Sequence, residues 1–76
     1  MKANRIVEYS VLLGYAVAVN DDSRIYVLYA LKLDNTALQL LNTLERYPVV
    51  FTTDSTRAKE LCTAPQWETV ISEIHG

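Results

Sequence analysis

Every second residue from Val7 is apolar: Val7, Tyr9, Val11, Leu13, Tyr15, Val17 and Val19 and, after the polar break Asn20-Asp21-Asp22-Ser23, Ile25, Val27, Tyr29, Leu31 and Leu33. A period of two sustained over that length does not suit a helix, whose faces repeat every ~3.6 residues, and it predicts two half-buried strands. The polar break turns the two strands into a β-hairpin. The first strand is predicted over Ile6 to Val19 and the second from Ile25 to Leu33. A strand as long as the first should bend, and Gly14 in its middle marks the expected place.

The register of the hairpin decides which residues share a face. Pairing Asn20 with Arg24 puts Val19/Ile25, Val17/Val27, Tyr15/Tyr29 and Leu13/Leu31 on one strongly apolar face. The other face then carries Leu12, Gly14, Ala16, Ala18, Tyr26, Leu28 and Ala30. Pairing Asn20 with Ser23 instead makes both faces comparably apolar. The first arrangement separates polar from apolar better and is preferred, although its loop has no glycine for a left-handed position. In both registers the second face is too apolar to be left in water.

Beyond the hairpin, Asp34, Asn35 or Thr36 offers a cap to a helix with an Ala37, Leu38, Leu40, Leu41 and Leu44 stripe, stopped by Pro48. Val49 to Thr53 reads as a short strand, apolar on both sides and therefore suited to a central place. Asp54 or Ser55 caps a second helix over about Thr56 to Thr63, with Ala58, Leu61 and Cys62 facing in. Trp67, Val70, Ile71 and Ile74 fit helical spacing, while Thr69-Val70-Ile71 also suits a strand that would close the sheet, and the strand is preferred. The expectation is a single α+β domain over residues 1–76. Its order is β-β-α-β-α-β, with a mixed four-stranded sheet built on a long N-terminal hairpin and two helices mainly on one face.

Size and charge narrow the function classes. The chain has 76 residues, half of them hydrophobic, so a small core is expected, and burial against a partner or a second copy would enlarge it. A formal charge of −2 gives no basic track for nucleic acid or an anionic membrane. The five tyrosines therefore read as core or interface rather than as base-stacking platforms. No apolar run is long enough to span a membrane. The lone Cys62 and the lack of a secretory leader favour a cytoplasmic location, and the initial Met reads as that of a complete small gene product, with an excised domain as the alternative.

No residue set carries catalysis or ligation. His75, the only histidine, sits beside the C-terminal glycine and reads as a mobile tail residue. Cys62 lies on the inner side of a helix, where a thiol is buried and inert. Asp21 and Asp22 lack the alternating spacing of a calcium loop. The Thr52-Thr53-Asp54-Ser55 turn, with an aspartate and no glycine, suits helix capping rather than phosphate. No catalytic residue, metal or cofactor is expected, and the chain reads as non-enzymatic. What remains is binding surface: Asp21, Asp22, Tyr26, Leu28 and Trp67 are the candidate protein interface. The expected function is a protein-interaction module that modulates or inhibits a larger partner, with a homodimer through the hairpin as one form. Phage-encoded inhibitors of host defence such as anti-CRISPR proteins belong to this size and charge class, though no motif selects them. The alternative is a small-ligand sensor subunit acting as a homodimer.

Overall fold

The first predicted strand breaks at Gly14. In the computed structural model, which describes residues 4–76, it becomes two strands, β1 (Asn4–Ser10) and β2 (Tyr15–Asn20), followed by β3 (Ile25–Ala30). The Gly14 amide donates to the Ser10 carbonyl at 2.8 Å, and the Leu13 amide donates to Ser10 Oγ at 3.1 Å. Gly14 sits at φ 74°, where a side chain is strained, and a Cβ there would approach Leu31 Cδ1 to 3.1 Å. The expected bend is thus a complete reversal, and the expected hairpin is a three-stranded meander.

The remaining elements are α1 (Asn35–Thr43), β4 (Val49–Thr52), α2 (Ser55–Leu61) and α3 (Trp67–His75). The sheet order is β1-β2-β3-β4, antiparallel throughout except for the parallel β3–β4 pair. Helix α1 makes that parallel crossover. The α+β class and the mixed four-stranded sheet on an N-terminal hairpin stand as expected from the sequence. So do the caps: Asp34 accepts from the Ala37 amide at 3.0 Å and Asp54 from the Thr56 amide at 2.9 Å.

Four expectations are corrected. The register is neither of the two considered: Asn20 pairs with Ile25, Val19 with Tyr26 and Val17 with Leu28. The loop is therefore Asp21–Arg24, with Asn20 Oδ1 accepting from the amides of Asp22 and Ser23, both at 3.0 Å. Arg24 itself takes the left-handed position, at φ 58°. This register makes both faces of β2 and β3 apolar, and both are covered.

Second, the helices divide between the faces. Tyr15, Val17, Leu28 and Ala30 form one core under α1, with Ala37, Leu40, Leu41 and Leu44. Ala16, Ala18, Val27 and Tyr29 form the other, under α2 and α3, with Ala58, Cys62, Trp67, Val70, Ile71 and Ile74. Third, the tail is a helix rather than a strand. Its four apolar residues fall on one stripe, and the small Ala16 and Ala18 leave room for Trp67 to pack above the sheet. Fourth, β4 lies at the sheet edge, since β1 supplies the strand that the tail was expected to provide.

Candidate protein-binding edge

A bulge shapes β1. Ile6 pairs with Ala18 and Glu8 with Val17, so Val7 is an extra residue without an opposite number on β2. The insertion resets the alternation. Ile6, Val7, Glu8 and Tyr9 line a groove whose far wall is Gln66, Thr69 and Val70 of the α3 N-terminal region. The charged groups of Arg5 and Glu8 are engaged elsewhere: Arg5 donates to Asp21 at 3.1 Å and the Glu8 carboxylate accepts from the Tyr15 hydroxyl at 2.6 Å. The groove holds about 480 Å³. Val7 is 44% and Tyr9 48% exposed, large values for residues of such hydrophobicity on a strand.

Strand β1 is one of the two edges of the sheet. The other, β4, has only four residues and is preceded by Pro48, features that blunt an edge. The longer β1 presents seven. Apolar surface continues from it into the β1–β2 turn, where Val11, Leu12 and Leu13 are exposed, Leu12 at 94%, and Leu31 adjoins Gly14. A smaller depression of about 230 Å³ lies on the opposite side, between Leu13, Tyr15 and the α1 residues Thr36, Gln39, Leu40 and Thr43.

The interface residues read from the sequence do not form one surface. Leu28 is fully buried beneath α1 and Trp67 is 2% exposed beneath the other sheet face, where its indole Nε1 donates to the Cys62 carbonyl at 2.7 Å. Both belong to the cores, because the observed register brings a helix over each face. Tyr26 is half-buried on the α1 side and rests its ring against Tyr47, with centroids 5.0 Å apart. Asp21 holds Arg5, and Asp22 is exposed in the turn. The apolar residues exposed at this edge, Val7, Tyr9 and Leu12, are not among those candidates. Alternation assigned the first two to a buried face, and only the unusual length of the predicted strand signalled that its first half was a separate edge.

The chemistry-bearing side chains are structural. Cys62 is buried, its thiol donates to the Val19 carbonyl at 3.2 Å, and burial pushes its pKa up, so it does not favour the reactive thiolate. His75 is no mobile tail: it ends α3, and its Nε2 shares a hydrogen bond with the Tyr29 hydroxyl at 2.5 Å. That bond ties the last turn of α3 to β3, and neither depression includes it. Burial, assisted by Asp54, raises the Tyr29 pKa. Among the described residues no group of His, Cys, Asp or Glu is placed to hold a metal ion, and no helix is long and apolar enough to cross a membrane. Comparison with family models, curated proteins and solved structures gives no match to this chain.

Proposed function

We propose that the chain is a non-enzymatic protein-interaction module that receives an extended segment of a protein partner along β1. The observation that carries this reading is the pairing of an edge strand with an apolar groove on one of its sides. An added strand gains main-chain hydrogen bonds from the edge, and its alternate side chains enter the groove between Tyr9 and Thr69. The site is built for a peptide backbone rather than for nucleic acid, because β1 offers one Arg and one Glu and no basic track. It acts in the cytoplasm, and capture of a strand from a larger assembly would modulate or inhibit that assembly, as in the anti-defence class named above. A second reading, a small-ligand sensor, is favoured by one observation: the groove volume of about 480 Å³ lies within the size range of small-molecule sites.

A peptide library displayed on phage and selected against the full chain tests the first reading. Binders should carry apolar residues at alternate positions, and in isotope-labelled protein they should shift the amide resonances of Arg5 to Ser10 and Gln66 to Val70. Selection that yields no binder, or shifts confined to other elements, overturns it. Metabolites that stabilise the protein thermally and shift the same resonances would instead support the sensor.

A further inference from the structure

We propose that the β1–β2 turn and the loop leading from β3 into α1 form an aliphatic tip that inserts into the surface of a neutral lipid bilayer. Six of the nine large apolar side chains exposed among the described residues lie at this one end of the sheet: Val11, Leu12, Leu13, Leu31, Leu33 and Leu38. The two segments are neighbours, since the Leu31 amide donates to the Gly14 carbonyl at 3.2 Å and the Leu31 side chain lies against Gly14. Leu38 follows in the first turn of α1. A cluster of exposed apolar side chains of this extent marks a contact with protein or with membrane. The contact is separate from the β1 groove, which is lined by none of these six residues.

Composition, shape and charge favour lipid over protein. Protein interfaces are anchored by Trp, Tyr and Arg, whereas Leu and Val are under-represented among their anchors. The exposed apolar side chains of this tip are Leu and Val only. The tip is also a projection: Leu12 is 94% exposed at the head of its turn. A projecting set of aliphatic side chains suits a deformable apolar layer. A turn that enters such a layer must satisfy its own backbone. Here the Gly14 and Leu13 amides both donate to Ser10, to its carbonyl at 2.8 Å and to its Oγ at 3.1 Å. The amphipathic side chains stand where headgroups would meet them. Lys32 is exposed between Leu31 and Leu33 and can reach a lipid phosphate while its stem stays with the leucines, and half-exposed Tyr9 lies one residue before the end of β1. Of the carboxylates at this end, Glu8 is bonded to the Tyr15 hydroxyl and Asp34 to the Ala37 amide, while Asp21 and Asp22 lie in the turn at the far end of β2. With Lys32 and Asp34 so close in the chain, the tip carries charge of both signs. That complements zwitterionic headgroups and not an anionic surface, which needs clustered basic residues.

The test is flotation of the full chain with phosphatidylcholine vesicles at millimolar lipid, with melting curves to confirm that each variant folds. A few inserted aliphatic side chains give marginal, reversible binding, so part of the wild type should float with the vesicles. Leu12→Asp should lower the bound fraction by at least about ten-fold, and Leu33→Asp should lower it as well. Leu12→Trp should keep the binding, and its emission should move to shorter wavelength when vesicles are added, over the constant emission of the buried Trp67. Adding anionic phosphatidylglycerol to the vesicles should not strengthen binding. Peptides selected on β1 should bind Leu12→Asp as they bind the wild type, which keeps the two surfaces apart. A wild type that does not float overturns the lipid contact, as do flotation undiminished by Leu12→Asp and flotation that requires anionic lipid. Loss of self-association or of peptide capture in Leu12→Asp, with no flotation of the wild type, would give the tip to a second copy or to a protein partner instead.

Discussion

Tyr15 and Tyr29 lie on opposite faces of the sheet, and the hydroxyl of each ties its strand to another element, β1 for Tyr15 and α3 for Tyr29. The Tyr15 hydroxyl donates to Glu8 across the β1–β2 pair, and that hydrogen bond, with burial and the nearby carboxylate charge, pushes its pKa up to about 12 from an ordinary value of 10.0. A phenol whose pKa is raised by folding stabilises the folded state fully below its unfolded pKa, and this stabilisation is lost as pH rises through the folded value. Stability should therefore fall between about pH 10 and 12 through this group. Tyr15→Phe should cost about 1 kcal/mol at neutral pH and flatten that alkaline decline, measured by urea titration at a series of pH values. A decline as steep as in the wild type would show that Tyr15 has no part in it.

At the scale of elements, α3 decides how the sheet is covered. Its stripe of Trp67, Val70, Ile71 and Ile74 closes the face that the short side chains of Ala16 and Ala18 leave low, and Trp67 is held at its start by the Cys62 carbonyl. Trp67→Ala should cost about 3–5 kcal/mol, a large part of the stability of a domain this small, read as a lowered urea midpoint by circular dichroism. Trp67→Phe should retain more of it and lose mainly the indole hydrogen bond. The stripe was visible in the sequence at helical spacing. What hides the helix is topology: with β1 and β2 read as one strand, the sheet wants a further strand from the tail. The caps, α1, β4 and α2 follow from local chemistry and were readable. The register was not, because it depends on Arg24 accepting a left-handed conformation and on Asn20 bracing the turn, with its side-chain amide also donating to the Leu61 carbonyl at 2.7 Å. The candidate site goes the same way: Leu28 reads as surface because its face follows from the wrong pairing, and Trp67 because its residue type favours interfaces, whereas both are buried.

Across the whole molecule, protection should follow position in the layers. Strands β2 and β3 are sandwiched between α1 on one side and α2 with α3 on the other, while β1 and β4 each have an open flank. Amide exchange at micromolar concentration should thus be slowest from Ala16 to Ala18 and from Val27 to Tyr29 and faster along β1. Uniform exchange across the sheet in the dilute protein would contradict this layering.

The division of the sheet into two unlike cores also sets which changes of chain length such a lineage could survive. Odd residues of β2, the larger Tyr15, Val17 and Val19, face the side that α1 covers, and the small even ones face the side that takes Trp67. One residue gained or lost within β2 or β3 would exchange the two sets beyond that point and turn large residues to the side that has room only for small ones. Insertions should accumulate instead at the exposed Val11–Leu13 turn, where the strands on either side keep their phase. The single inserted residue the sheet does carry, Val7, lies on an edge strand, where a shift of phase falls outside both buried clusters and only the neighbouring Ile6 packs against one of them.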